Sequence, residues 1–183
     1  MGTWYESGMR SFPPPVTRPV APRIEDPLEL LRACHDKIRR FTALTLRLRD
    51  HVIDHGADAQ AQEAAQSILR YFEVAAPLHH DDEEQDLLPA LRVIGGAELS
   101  DHMDALEAEH LTLSALWQQL KPWLQATSAG QPMACPDAAQ AFALRYQAHA
   151  QREEDDIYPA ASALDEVTLG RISAAMVARR TQA

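Results

Sequence analysis

The sequence predicts an all-α fold, an antiparallel up-down four-helix bundle, and three observations predict it. Apolar residues recur at three- and four-residue steps over four long stretches. Glycine is scarce, 7 of 183 residues, and aromatics are 6%, while Ala and Leu abound, a poor mixture for turn-rich β folds. The breaks between stretches are short, and short connections make sequential helices antiparallel neighbours.

Residues 1–23 stand apart. Pro13, Pro14, Pro15, Pro19 and Pro22 exclude a regular helix there and favour extended backbone. With Trp4, Tyr5 and Phe12 as apolar anchors, this segment reads as a proline-rich N-terminal arm packed along a bundle of residues 24–183. Asp26-Pro27 is a helix start, a cap residue followed by proline at the first helical position. Leu31, His35, Ile38, Thr42, Thr45, Leu48 and Val52 then fall on one face, and Gly56 ends the helix. A second helix is predicted over 57–91, with Ile68, Phe72, Ala75, His79, Glu83 and Leu87 in line, before the Gly95-Gly96 break. A third covers 97–126, with Leu99, Met103, Leu106, His110, Leu113, Trp117 and Leu120 in line. After a loop over 127–136, a fourth covers 137–160, carrying Phe142, Tyr146, His149, Glu153 and Ile157. A short fifth, 164–180, finishes the chain.

Charge narrows the partners. With 17 Lys+Arg against 27 Asp+Glu, the net charge is −10, which argues against nucleic acid or an anionic membrane as a partner. No stretch approaches the ~18 apolar residues of a membrane span. The two cysteines, Cys34 and Cys135, form neither a CxxC pair nor a disulfide framework, and residues 1–20 lack the apolar run of a secretory signal. A reducing cytoplasm is the expected compartment.

An internal repeat carries the chemistry. Residues 79–89 and 149–159 both read H-x-x-x-E-E-x-D-[L/I]-x-P, one on the second helix and one on the fourth. His35 on the first helix and His110 on the third stand in a similar relation, so the bundle reads as two helix hairpins about a pseudo-two-fold axis. His and Glu four residues apart share a helix face. The stripes therefore bury His35, His79, Glu83, His110, His149 and Glu153 together. An isolated buried carboxylate or imidazolium costs several kcal/mol. Metal ions remove that cost, and imidazole with carboxylate suits iron, manganese or zinc. Carboxylates on facing helices can bridge two ions in a bundle core.

These residues resemble the hemerythrin-like, or HHE cation-binding, domain family, over roughly residues 26–160. The resemblance implies a four-helix bundle holding a non-haem di-iron centre. It implies His35 as the ligand from the first helix, His79 and Glu83 from the second, His110 from the third, and His149 and Glu153 from the fourth. Glu83 and Glu153 would bridge two iron ions, with an oxo, hydroxo or water bridge completing the pair and zinc or manganese as substitutes. One departure matters. Oxygen-carrying hemerythrins place a second histidine four residues along the third helix, whereas Leu106 and Ser114 flank His110 here. That pattern resembles the branch associated with iron or oxygen sensing and iron handling.

Other residues are weighed against bland roles. His80 and Glu84 share the spacing of His79 and Glu83, but only His79 sits ten residues before its proline, as His149 does. His51 and His55 precede Gly56 and suit a helix C-terminus. Most of the acidic run Asp81 to Glu84 reads as a solvated face, Tyr158 as core packing, and Cys34 as a buried thiol. The expected function is a non-enzymatic di-iron protein that binds or senses O2, iron or NO, with O2 or a related diatomic as ligand. The alternative is a di-iron oxidase, peroxidase or NO-handling reductase at the same centre.

Overall fold

Helix α1, Pro27–His55, is set by its caps. Asp26 is extended, with φ −126° and ψ 117°, and its carboxylate accepts the Leu28 amide at 2.8 Å. Gly56 ends the helix at φ 73°, a conformation that favours glycine. This computed structural model describes residues 26–182, and no strand occurs among them. The proposed arm over 1–23, with Trp4, Tyr5 and Phe12, lies outside the described residues.

Helix α2 spans 59–94 and α3 spans Ala97–Ser128. Helix α4 spans 138–157 and passes into a 3-10 turn, Tyr158–Ala163; α5 is Glu166–Gln182. The ends differ from the sequence reading by a few residues, mostly because capping decides them. Asp58 caps α2 by accepting the Ala61 amide at 2.8 Å, so that helix starts at Ala59.

Both repeats share a local backbone feature that periodicity does not show. Glu83–Leu87 and Glu153–Ile157 are π-helical turns, closed by the Leu88 amide donating to the Glu83 carbonyl and the Tyr158 amide to the Glu153 carbonyl. A third such turn is Tyr71–Ala75. Each is followed, two residues on, by a proline: Pro77, Pro89 and Pro159. A proline inside an α-helix clashes with the carbonyl four residues back. In all three cases that carbonyl, of Glu73, Gln85 or Asp155, lies inside the widened turn. Pro122 within α3 has no such turn, so proline favours the π geometry without dictating it. Wide turns of this kind are frequent at functional sites.

The helices pack as a ring of neighbours. On α1 and α4, His35 meets Glu154, Thr42 meets Gln147 and Arg49 meets Gln140, so residue numbers rise on one helix as they fall on the other. The same opposition holds for α2 and α3, where Glu73 pairs with Lys121 and Glu84 with His110. It holds for α3 and α4 through Trp117–Phe142 and His110–His149.

Two apolar clusters fill the interior. One includes Ile38, Phe72, Leu113, Trp117, Trp123 and Phe142; the other includes Leu31, Leu87, Leu91, Met103, Leu106 and Ile157. On each of the four long helices the predicted site residues fall in the gap between the clusters: His35 between Leu31 and Ile38, His79 and Glu83 between Ala76 and Leu87, His110 between Leu106 and Leu113, His149 and Glu153 between Tyr146 and Ile157. Truncating a fully buried residue such as Leu31 to Ala typically costs about 2–5 kcal/mol. Helix α5 adds Ile172 and Met176 to the second cluster, and its Arg179 and Arg180 donate to the Asp82 carboxylate. Asp82 is consequently fully buried, and this part of the acidic run is no solvated face: α5 covers it.

Candidate metal centre

The six predicted residues meet in one place. His35, His79 and His149 are fully buried, and Glu83, Glu153 and His110 are at most 4% exposed. Their ligand atoms form two groups. His35, His79, Glu83 and Glu153 lie within 4.8 Å of one another, and so do His110, His149, Glu83 and Glu153. Both glutamates belong to both groups, while each histidine pair belongs to one. The π turns begin at these glutamates, four residues after His79 and His149, which keeps each His-Glu pair on the inward face.

Three of the four imidazoles are oriented from outside. His35 Nδ1 donates to Glu154 at 2.8 Å, His110 Nδ1 to Glu84 at 2.6 Å, and His149 Nδ1 to Glu109 at 3.2 Å. A carboxylate only accepts, so these contacts put a proton on Nδ1 and turn Nε2 inward. There the Nε2 atoms converge on Glu153 and on one another. His35 Nε2 and His149 Nε2 each lie 3.0 Å from a Glu153 oxygen. His110 Nε2 and His149 Nε2 are 3.0 Å apart. The nitrogens of His79 and one oxygen each of Glu83 and Glu153 are buried with no hydrogen-bond partner. A bound cation would satisfy these converging nitrogens and orphaned buried oxygens, and the donor set of imidazole nitrogen and carboxylate oxygen fits a transition metal.

Electrostatics agree. Burial, then the neighbouring imidazole of His35, pushes His79 well below the usual histidine range, so it stays in the neutral form that binds metal. Burial, then the facing Glu153 carboxylate, pushes Glu83 well above the usual carboxylate range. Burial acts on Glu153 in the same sense, but the imidazoles of His149, His110 and His35 outweigh it and hold Glu153 well below that range.

Comparison with known proteins decides the family. The family model described as the hemerythrin HHE cation binding domain matches residues 26–161. The chain belongs to that family. It is also 38% identical over 100 residues to an uncharacterized protein of Haemophilus influenzae; the shared stretch covers 55% of this chain and 58% of that protein. As an HHE cation-binding domain the chain is a metal-binding protein with His and Glu groups able to hold the ion. Helix α5 lies beyond the matched residues.

The HHE domain uses more residues than periodicity suggests. The second glutamate of each repeat, Glu84 or Glu154, reaches across to anchor the histidine of another helix, His110 or His35. The doubled Glu in both repeats was the available signal. Arg39 in turn donates to Glu154 at 2.7 Å, and Arg152 to Glu109. Glu109, next to His110 in sequence, had no such signal. Tyr158 is core packing, as expected, but its hydroxyl also donates to Glu83 at 2.7 Å and lies 3.2 Å from His35 Nε2. His51 sits 3.0 Å from Asp58 at the turn between α1 and α2, away from every metal-competent group among the described residues. Cys34 is half-buried where a buried thiol was expected; burial raises its pKa. Of the two positions beside His110, Leu106 is core and Ser114 lines a cavity of about 270 Å³ between α2, α3 and α4.

Proposed function

We propose that the chain is an antiparallel four-helix bundle that holds two metal ions, iron in the cell, between His35, His79, His110, His149, Glu83 and Glu153, and that it binds or senses O2, iron or NO there. The observation that supports this best is the division of six buried side chains into two overlapping groups with both glutamates in common. Bound iron supplies redox chemistry and open positions for a small ligand. The chain supplies the rest. Glu154, Glu84 and Glu109 set tautomer and ring direction, which protein groups around a metal generally do. Tyr158 holds Glu83 in its rotamer by donating to it. The two apolar clusters keep water from both ends of the centre.

Full-length protein purified without chelator or acid is expected to contain about two transition-metal ions per chain, iron foremost, by elemental analysis. Protein free of metal under those conditions overturns the reading. Reduced protein mixed with O2, and separately with NO, is expected to change its visible absorption; indifference to both leaves iron handling alone. The alternative, a di-iron oxidase, peroxidase or NO-handling reductase, is favoured by one observation. The cavity beside His80 and His110 is larger than a diatomic ligand needs. Repeated turnover of peroxide or NO with an added reductant distinguishes that reading.

A further inference from the structure

The two repeats differ at two positions beside the centre, one of them next to His110 and His149. His79-His80 in the first corresponds to His149-Ala150 in the second. Ala150 is fully buried and leaves nothing polar on its side. His80 instead leans across to α3 and stacks on His110, with ring centroids 4.0 Å apart and planes 14° from parallel. Its ring centroid is 5.9 Å from that of His149. One ligand nitrogen from each of His80, His110 and His149 lies within 4.8 Å of the others, a third metal-competent group. That group overlaps only one of the two dimetal groups, the one containing His110 and His149. Across from it, Tyr158 is the neighbour of His35, and although the rings of His79 and His80 are 5.7 Å apart, no metal-competent group among the described residues joins His80 to His35 and His79.

His80 also has a holder. The Tyr146 hydroxyl lies 2.9 Å from His80 Nε2, and the residue corresponding to Tyr146 in the first repeat half, 70 positions earlier, is Ala76. Both side chains form a wall of the 270 Å³ cavity, with Phe72, Phe142 and Ser114 nearby. The cavity gives the imidazole room to move.

We propose that His80 is a further metal-binding residue, a third imidazole for the ion held by His110, His149 and the two glutamates. The inference rests on the dimetal reading above. Two nitrogens that each lie about 2.1 Å from one ion are at most about 4.2 Å apart. A group spanning 4.8 Å closes to that with a small side-chain movement, and ligation through Nε2 would take His80 off Tyr146. The two metal positions are then unequal, three imidazoles against two. His80 exchanges between Tyr146 and the ion, so a small ligand arriving through the cavity can displace it.

Titration of metal-free full-length protein with Co²⁺, followed by visible absorption and calorimetry, tests this. The wild type is expected to take up about two ions per chain in two steps. In His80→Phe, which keeps an aromatic ring stacked on His110 but removes the nitrogens, one step is expected to weaken at least about tenfold and its absorption band to change, with the other step untouched. His80→Ala is expected to do the same. Tyr146→Phe frees His80 and is expected to keep both steps at full strength or tighten one. Wild-type titration by His80→Phe overturns the inference and leaves the dimetal reading standing. Weakening in His80→Ala but not in His80→Phe assigns His80 a packing role and overturns it too. A wild type that binds no Co²⁺ overturns both.

Discussion

The first repeat, residues 79–89, and the second, 149–159, share a π-helical turn and the residues that face the centre, and part only after the turn, where the first continues as α-helix and the second tightens to 3-10. Each supplies a His and a Glu to the centre, and each has a second Glu that anchors a histidine of another helix. Of the six positions at which they differ, two border the centre, and these fall on opposite sides of it. His80 replaces what is Ala150 in the second repeat, beside His110 and His149. Tyr158 replaces what is Leu88 in the first, beside His35 and Glu83. The His35 and His79 side is closed by a tyrosine buried in an apolar cluster, and the His110 and His149 side borders a cavity. On the proposed dimetal reading, that difference would favour retention on one side and access on the other.

The severest way to break this comparison is to remove what the two sides share. Glu153 lies 3.0 Å from His35 and His149 and 3.6 Å from His110. Glu153→Ala is expected to abolish uptake of both ions, measured by elemental analysis; two retained ions would show that the glutamate bridges nothing. Removing one side is the next largest effect. His35→Ala and His110→Ala are each expected to drop the content from about two ions to about one. Retention of both ions in either variant contradicts the division into two positions.

Metal-free protein sharpens the comparison through pH. Burial, followed by Glu153, holds the Glu83 carboxyl above its ordinary value. A carboxyl with a raised folded-state pKa contributes stability that is complete below its unfolded value and is lost as pH rises through the folded one. Melting temperature of metal-free protein is therefore expected to fall as pH is raised above the ordinary carboxylate range. Glu83→Gln is expected to flatten that dependence, and metal to remove it. A metal-free protein equally stable at pH 6 and pH 8, or one whose slope survives Glu83→Gln, excludes Glu83 as the cause. The smallest effect belongs to the tyrosine. Tyr158→Phe removes the hydroxyl that donates to Glu83 and is expected to cost about 1 kcal/mol in thermal unfolding. It is expected to weaken the position of His35 and His79 more than the other. An equal loss at both positions would place Tyr158 in general packing.

Most of the site was legible because a helix turns every 3.6 residues and places His and Glu four apart on one face. The repeated H-x-x-x-E at His79 and His149, with His35 and His110 on their own stripes, needed no more than that. The residues one layer out were not legible, since Glu84, Glu154 and Glu109 act across helices and their partners are 26, 119 and 40 residues away in sequence. An acidic run such as Asp81 to Glu84 gives no local sign that Asp82 is buried, because its cover, Arg179 and Arg180, comes from a helix near the far end of the chain. A one-residue shift of register takes His80 off the stripe, but an imidazole on the flank of a stripe can still lean onto a neighbouring helix.

The sequence by itself determined the helices, the buried histidines and glutamates, and the cation-binding family, because periodicity, capping and a repeated motif are local properties of the chain. Tertiary structure decided the pairing of the six residues into two overlapping groups, the proton positions on the imidazoles and the inequality of the two sides. These depend on which helix faces which and on the widened turns ahead of Pro89 and Pro159, and the net effect of burial on an ionisable group is set by every neighbour the fold brings to it.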